Sequence, residues 1–275
     1  MTSFLFVTHL TPKAKRSAFR ADLNDLYFRA LNNQTYPHWK VLVLGDDEKQ
    51  EGKFHYVKLD DVAPEEKRKG ITAILKRENV LKLFGESKYV VKLDDDDWIS
   101  PVILEKAASL DFDLYYDLRH TFVDSSSGLI TQQQRDWVAS TCIHRSEHVL
   151  QKWNGAGAST VGNLLYTDHS KSWHLYYAGK KKVVADKHHP VYARVLSPTS
   201  VTSGGHSQVN EATMKEYLDY LRTFGDWNNP ATHDFDAYFS SLGKAWKNFS
   251  GYEQKTLPYM RASLASRISK RIFGK

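Results

Sequence analysis

The first hundred residues alternate between short apolar runs and longer segments whose apolar positions recur every three or four residues. Short apolar runs are typical of buried β-strands, and the three-to-four spacing is typical of amphipathic helices. The runs predict strands at Ser3–His9, Lys40–Leu44, Lys53–Leu59 and Tyr89–Leu93. The helical spacing predicts helices at Ser17–Asn32 and Glu65–Phe84. This order of elements predicts an α/β domain with a largely parallel sheet.

Beyond Pro101 the same patterns predict a mixture of strands and helices. Strands are expected at Leu114–Phe122, Lys182–Ala185 and Val191–Val195, and short helices at Pro101–Leu110 and within Thr141–Trp153. The Gly204-Gly205 pair predicts a boundary. Helices are expected after it, at Gln208–Phe224, Asp234–Phe249 and Thr256–Phe273. We therefore expect one domain over residues 1–205 and a helical extension over residues 206–275.

Three of the predicted strands end in polar or acidic residues: Thr8-His9, Asp46-Asp47 and Asp94–Asp97. Ligands of such sheets bind beyond the carboxyl ends of the strands. Four consecutive aspartates repel one another, and a divalent cation is a natural compensation, because Mg²⁺ and Mn²⁺ prefer oxygen ligands. The alternative is an acidic loop at the start of a helix, where carboxylates favour the helix dipole. A calcium EF-hand is excluded, because Ile99 stands at its glycine position and Pro101 interrupts the loop.

The segment Tyr89–Pro101 resembles the Asp-x-Asp region of GT-A-fold glycosyltransferases, especially the large family 2 group. Two upstream segments, Gln34–Asp47 and Lys69–Glu86, resemble the stretches that precede the uracil-contacting aspartate and the metal strand of that family. The resemblance covers residues 3–105 well and residues 135–205 loosely. It implies a GT-A-like fold, which is a Rossmann-like mixed sheet flanked by helices, here with a C-terminal helical extension. It also implies transfer of a sugar from a nucleoside diphosphate donor with inversion, assisted by Mn²⁺ or Mg²⁺.

The resemblance also implies roles for individual residues. It places the following at the nucleotide-sugar site: Thr8, Asp46, Asp47, Lys69, Asp94, Asp95 and Arg194. It places the following at the metal: Asp94, Asp96, His188 and His189. Plainer interpretations stay open, because Thr8 fits an ordinary strand end, Asp46-Asp47 a simple turn, and the histidine pair an exposed loop. Arg194 fits a structural ion pair as well as a phosphate contact, and Leu196 stands where the family has a histidine.

Inverting transfer needs a base that takes the proton of the acceptor hydroxyl. In the resembling family this base is an aspartate beyond the metal motif, and Asp168 is the candidate here. Thr167 stands where the family usually has a glutamate, so Asp168 as a plain loop acid stays open. Asp136 and Asp186 are the reserve candidates.

Composition and charge narrow the class of protein. With one cysteine, Cys142, the chain has neither an intrachain disulfide nor a Cys-x-x-Cys zinc site, which favours a reducing compartment. No apolar run reaches about 18 residues and no signal peptide is recognisable, so we expect a cytoplasmic protein. Five of the six net positive charges lie in Leu257–Lys275, where apolar residues recur every fourth position. This tail is expected either to contact the inner face of a membrane or to pack on the body of the protein.

The combined prediction is a metal-dependent glycosyltransferase that uses a UDP- or dTDP-sugar and a glycan or lipid-linked acceptor, as in surface polysaccharide synthesis. The enzymatic alternative is a nucleotidyltransferase that acts on sugar phosphates. A glycoside hydrolase would need neither metal nor nucleotide. The non-enzymatic alternative is a basic adaptor that binds a membrane or nucleic acid through the tail. No nucleic-acid partner is expected, and the lack of a glycine-rich phosphate loop disfavours a P-loop or dinucleotide-binding enzyme.

Overall fold

The structure is a computed structural model that describes residues 1–16, 18–124, 129–135, 138–151, 164–166, 171–186, 190–198, 200 and 211–224. The predicted boundary at Gly204-Gly205 lies outside these residues. The same holds for the predicted helices Asp234–Phe249 and Thr256–Phe273 and for the basic tail. Chain contacts divide the protein into two compact units, Met1–Arg119 with Gln134–Tyr192, and His120–Gln133 with Ala193–Lys275.

An eight-stranded mixed sheet forms the centre of the first unit. Numbered along the whole chain, its strands are β1 (Phe4–His9), β2 (Trp39–Gly45), β3 (Lys49–Glu51), β4 (Phe54–Lys58), β5 (Tyr89–Lys92), β7 (Leu114–Tyr116), β10 (Ile143–Arg145) and β11 (Lys182–Val184). Their order is β11-β7-β10-β5-β1-β2-β4-β3. Six strands run in one direction, whereas β10 and β3 run antiparallel to their neighbours. A short strand, β6 (Trp98–Ile99), follows the acidic run.

Helices cover both faces of this sheet. Those of the first unit are α1 (Ala18–Asn32), α2 (Pro64–Ile74), α3 (Glu78–Gly85), α4 (Ile103–Ala108), α5 (Ser146–Val149) and α6 (Lys171–Tyr176). Leu5 and Val7 of β1 pack in one buried cluster with apolar side chains of α2 and α3. The alternate residue Thr8 contacts Tyr27 of α1 instead. Because successive strand residues point to opposite faces, α1 lies on the other face from α2 and α3. The expected fold, a Rossmann-like mixed sheet flanked by helices, is confirmed.

The single helix predicted over Glu65–Phe84 is wrong, because the chain forms two helices, α2 and α3, with a turn between them. A continuous helix would carry the apolar stripe from Ile71 and Leu75 onto Glu78 and Asn79. Both of these residues are polar and exposed. The break lets Val80 and Phe84 enter the same core cluster as Ile71 and Leu75.

One further prediction needed correction, whereas the short helix expected within Thr141–Trp153 is confirmed as α5. The strand expected over Leu114–Phe122 is interrupted after Tyr116. The next residue, Asp117, accepts the backbone N–H of Val191 with its side chain. In the region Thr141–Trp153, the antiparallel strand β10 precedes the short helix α5. A chain segment of three strand residues is too short to show a recognisable period.

The second unit contains three neighbouring strands and one helix among its described residues. The strands are β8 (Arg119–Asp124), β9 (Ile130–Gln134) and β12 (Tyr192–Leu196), in the order β12-β8-β9, and the helix is α7 (Glu211–Arg222). Tyr217 of α7 is buried, and its hydroxyl donates to the backbone oxygen of Leu196 at 3.1 Å. The predicted helix at Gln208–Phe224 is thus confirmed. In the described part of the chain, no helix has the length and apolar character needed to cross a membrane.

Candidate active site

The polar residues predicted to meet at one edge of the sheet do follow adjacent strands. Strands β5, β1 and β2 are parallel neighbours, and they are followed by Asp94–Asp97, by Leu10 and Thr11, and by Asp46-Asp47, respectively. We call this carboxyl end of the parallel strands the site edge. Because the three strands lie side by side, the acidic run lies next to the chain that leaves β1, which makes the site edge the candidate active site.

Burial alternates along the acidic run. Asp95 and Asp97 are each only 2% exposed, whereas Asp94 and Asp96 are partly exposed. The run turns tightly, since the backbone N–H of Asp97 donates to the backbone oxygen of Asp94 at 3.2 Å. Of the four carboxylates, those of Asp94 and Asp96 are therefore the ones that a ligand reaches most readily. Asp94 and Asp96 thus form an Asp-x-Asp pair, and the alternate residues Asp95 and Asp97 are buried.

Asp95 fastens the acidic run to the chain that follows β1. Its carboxylate accepts the backbone N–H of Thr11 at 2.7 Å and the side-chain amide of Asn24 at 2.8 Å. The same amide of Asn24 donates to the backbone oxygen of Asp95 at 2.7 Å. The guanidinium of Arg20 is a third partner of the Asp95 carboxylate. These contacts favour a supporting role for Asp95 over direct contact with a donor.

Arg20 of α1 bridges two members of the run. One nitrogen of its guanidinium pairs with Asp95 and the other pairs with Asp96. Burial raises the pKa of Asp96 to about 6, although Arg20 opposes this shift and the neighbouring carboxylates of Asp95 and Asp94 add to it. Arg20 thus supplies one positive charge for two carboxylates, those of Asp95 and Asp96.

Thr8 and His9 end strand β1 at the site edge. Thr8 is buried, and its hydroxyl donates to the backbone oxygen of Leu93 at 2.9 Å while contacting the Tyr27 hydroxyl. The bond to Leu93 joins the end of β1 to the end of β5, and the contact with Tyr27 joins it to α1, as expected of an ordinary strand end. Burial, helped by Lys67 and Lys92, lowers the pKa of His9 to about 3, so its ring is neutral at neutral pH.

Asp46 and Asp47 hold the first residues after β1. Asp46 accepts the backbone N–H of Lys13 at 2.7 Å, and Asp47 pairs with the Lys13 ammonium at 2.8 Å. This hydrogen bond from Lys13 lowers the pKa of Asp47. Lys69 lies on α2, where its exposed ammonium pairs with Glu66 at 2.7 Å. These three of the residues expected to bind the donor are thus engaged in exposed contacts that a ligand can replace at little cost.

The remaining predicted site residues fall in other parts of the chain. Arg194 lies on β12 in the second unit, opposite Phe122 of β8, and is partly buried. Asp168, His188, His189 and the reserve candidate Asp136 lie outside the described residues. The other reserve, Asp186, is exposed and follows β11 at the site edge. Sequence analysis left out Arg20 and Asn24, although their i,i+4 spacing on a helix with buried Tyr27 was a usable signal.

Asp117 is a further residue that sequence analysis left out. It follows β7 at the site edge, is 3% exposed, and accepts the backbone N–H of Val191 at 2.7 Å. Burial raises the pKa of Asp117 to about 7, although backbone hydrogen bonds from Val191 and Tyr192 oppose the shift. The short strand β7 precedes it directly, but nothing in the local pattern distinguishes a buried aspartate from a turn residue.

We expect Asp117→Asn to change how the stability of the protein depends on pH. The carboxyl group has a pKa of about 4 in the unfolded chain and about 7 in the folded protein. Between these values the folded protein keeps a proton that the unfolded chain has lost, so this group's contribution to stability falls as pH rises. Between about pH 5 and pH 8, the wild type should lose on the order of 2 kcal/mol more than the variant.

Urea unfolding at the two pH values measures this difference. Asp25→Asn, which changes an aspartate on α1 with a 59% exposed side chain, is the matched control and should behave like the wild type. Equal pH dependence in Asp117→Asn and wild type would show that Asp117 is ionised in the folded protein.

A second group of possible metal ligands lies away from the site edge. Among the described residues, Asp113, Glu147 and His148 place ligand atoms within 4.8 Å of one another. Asp113 precedes β7, at the opposite edge of the sheet from the acidic run. The same oxygen of Asp113 lies 3.1 Å from the Nε of Arg145 and 3.1 Å from the Nε2 of His148. In this group, as in the acidic run, an arginine already pairs with a carboxylate, here Arg145 with Asp113.

Comparison with known proteins finds distant similarity only. The chain matches no protein-family model and no curated protein. Among solved structures, S. aureus TarS is 13% identical, with a TM-score of 0.40 over 98% of this chain and 54% of that one. The glycosyltransferase GlyE of Streptococcus pneumoniae is 9% identical, with a TM-score of 0.37 over 81% of this chain and 64% of that one.

A glycosyltransferase involved in the glycosylation of the major capsid of PBCV-1 is 12% identical, with a TM-score of 0.36 over 70% of this chain and 93% of that one. This chain spans about half the length of TarS. What it does has to be inferred from the residues of its own site.

Proposed function

We propose that this protein is a metal-dependent glycosyltransferase that moves a sugar from a nucleoside diphosphate donor to a hydroxyl group, with inversion at the anomeric carbon. The observation that carries the proposal is the pair Asp94 and Asp96. Both carboxylates are partly exposed on a tight turn at the site edge, and the alternate residues Asp95 and Asp97 are buried. The resemblance of Tyr89–Pro101 to the Asp-x-Asp region of GT-A enzymes points to the same reaction.

The residues at the site edge fit a divalent cation. The donor atoms are carboxylate oxygens, which Mn²⁺ and Mg²⁺ prefer. The carboxylate of Asp96 already has a cationic partner, the guanidinium of Arg20, which a metal ion would have to replace. A metal bound here would neutralise the charge that develops on the departing nucleoside diphosphate. Asp94 and Asp96 would hold it, and His188 and His189 are proposed as further ligands.

The donor's other contacts are proposed from the resemblance to GT-A enzymes. Asp46 and Asp47 follow the neighbouring strand β2, and we assign them to the nucleoside, which they would bind in exchange for their contacts with Lys13. Lys69 and Arg194 are assigned to the phosphates, because a cationic side chain pairs with phosphate oxygens. Thr8 and Asp95 are assigned to positioning, since both are buried and hydrogen-bonded.

Transfer is proposed to be a single displacement. The acceptor oxygen forms a bond to the anomeric carbon while the bond from that carbon to the donor's phosphate oxygen breaks. Asp168 takes the proton that the acceptor hydroxyl loses, and the nucleoside diphosphate leaves with the bonding electrons. Attack on the face opposite the leaving group inverts the configuration of the anomeric carbon.

The acceptor is proposed to be a glycan or lipid-linked saccharide. The support is the basic amphipathic pattern of Leu257–Lys275, which fits contact with an anionic membrane surface where such an acceptor would lie. This tail, like Asp168, lies outside the described residues.

A ligand screen tests the proposal. We expect UDP or dTDP to raise the unfolding temperature only when Mn²⁺ or Mg²⁺ is present, because a metal held by Asp94 and Asp96 would offset the charge of the diphosphate. At about 100-fold excess over its Kd, a ligand stabilises the folded protein by about 2.7 kcal/mol. Asp60→Asn removes a 78% exposed carboxylate after β4 and is a matched control that should respond like the wild type.

The products distinguish the proposal from its alternatives. Incubation with the matching nucleotide sugar should release a nucleoside diphosphate. Release of pyrophosphate from a nucleoside triphosphate and a sugar phosphate would instead identify a nucleotidyltransferase. No stabilisation by any nucleotide, with or without metal, would contradict the proposal and favour an adaptor.

A further inference from the structure

The pairing of Arg20 with Asp96 conflicts with a metal at the same carboxylate. Arg20 contacts both Asp95 and Asp96, and all three side chains are at least three-quarters buried. A divalent cation held by Asp96 would share this carboxylate with the guanidinium. Two cationic groups on one carboxylate repel each other, so binding of the metal should weaken the contact between Arg20 and Asp96.

The contact between Arg20 and Asp95 has no such conflict. Asp95 stays in place through the backbone N–H of Thr11 and the amide of Asn24, at 2.7 and 2.8 Å. The guanidinium uses separate nitrogens for its two partners, so it can keep Asp95 while it leaves Asp96. Its side chain is 24% exposed, which leaves it an opening toward solvent.

The freed half of the guanidinium would face a ligand that brings new negative charge. A diphosphate held next to Asp96 is such a ligand, and the planar fork of an arginine matches phosphate oxygens better than a single ammonium does. The position of Arg20 beside Asp96 makes it the nearest cationic side chain among the described contacts of that carboxylate.

We propose that Arg20 is an exchangeable counter-ion of the acidic run: it holds Asp96 in the metal-free protein, yields Asp96 to the divalent cation, and then pairs with the donor's diphosphate while Asp95 anchors it. It is a positioning residue rather than a catalytic one. The inference rests on the proposed function, because it takes Asp96 as a metal ligand and a nucleoside diphosphate as the leaving group.

Arg20→Lys tests this exchange, because it should raise the affinity for Mn²⁺ and lower the affinity for UDP and dTDP. Lysine keeps a positive charge for Asp95 but lacks the planar fork of two nitrogens by which Arg20 pairs with Asp95 and Asp96 at once. Without nucleotide, Mn²⁺ should bind the variant roughly tenfold more tightly, because a competitor of charge-assisted strength is lost. With Mn²⁺ saturating, UDP and dTDP should bind roughly tenfold more weakly, because the fork that pairs with the diphosphate is gone.

Electron paramagnetic resonance of free Mn²⁺ gives the first affinity, and calorimetric titration gives the second. Arg29→Lys is the matched control, because Arg29 lies on the same helix and pairs with the single exposed carboxylate of Asp25. Both affinities should be unchanged in that variant. A merely structural role of Arg20 would weaken both affinities together or change neither, and either result would overturn the inference.

The wild-type protein offers a second measurement if Arg20→Lys fails to fold. In protein with ¹⁵N-labelled arginine, the guanidinium signal of Arg20 should shift when Mg²⁺ is added and shift again when UDP or dTDP follows. A guanidinium signal of Arg20 that shifts with neither addition would overturn the inference. If the wild type binds Mn²⁺ and loses it in Asp96→Asn, the proposed function stands whether or not Arg20 exchanges. If the wild type binds no Mn²⁺ at all, both proposals fail.

Discussion

Asp96→Asn should reduce sugar transfer by about 10²–10³-fold while the protein stays folded. The variant loses a charged metal ligand and with it the stabilisation of charge on the leaving diphosphate, and loss of such preorganised electrostatic stabilisation costs about 10²–10³ per donor group. Folding should be little affected, because burial already disfavours the charge of Asp96 and its pKa is raised to about 6. Turnover at saturating Mn²⁺ and the urea midpoint measure the two effects.

Asp60→Asn is the control for Asp96→Asn, since Asp60 follows β4, another strand of the same parallel group, but its side chain is 78% exposed. Its turnover should equal that of the wild type. A wild-type enzyme that keeps full activity in EDTA, together with an unimpaired Asp96→Asn variant, would remove the metal from the mechanism.

Asp168→Asn should lower kcat by about 10²–10⁴-fold, the usual cost of losing a general base. Affinity for the nucleoside diphosphate should stay unchanged, because the base acts on the acceptor hydroxyl and not on the donor. Single-turnover kinetics give the first quantity, and calorimetric titration of UDP or dTDP gives the second.

Asp186→Asn serves as the comparison for Asp168→Asn. Asp186 is an exposed carboxylate at the site edge and the reserve candidate for the base. If Asp186→Asn loses turnover and Asp168→Asn does not, the base is Asp186. If donor affinity collapses in Asp168→Asn, that residue belongs to the nucleotide site or to the fold.

The parts of the fold that follow from local pattern were predictable. Strands β1, β2 and β5 are largely apolar runs, and burial on both faces of a parallel sheet favours such runs. The direction of β10 was not predictable, because three residues carry no period and direction depends on which neighbours a strand finds. The break between α2 and α3 was readable in principle from Glu78 and Asn79, which interrupt the apolar stripe.

The candidate site, like the fold, was predictable from the sequence only in part. The acidic run was recognisable because four aspartates after a buried strand need compensation. Its partner Arg20 lies 75 residues away from Asp95 in the chain, and only the packing of α1 brings the two together. The alternation of burial between Asp94 and Asp97 likewise depends on the tight turn that follows β5 and on Asn24, neither of which is a local property of the run.

The most direct test is a crystal structure with Mn²⁺ and the nucleoside diphosphate that stabilises the protein, with the metal located by its anomalous scattering. We expect a single strong peak in contact with Asp96, bridged to the diphosphate, at the edge of the sheet where β5 ends. A peak found only beside Asp113, Glu147 and His148, or a diphosphate bound without metal away from Asp94 and Asp96, would contradict the account.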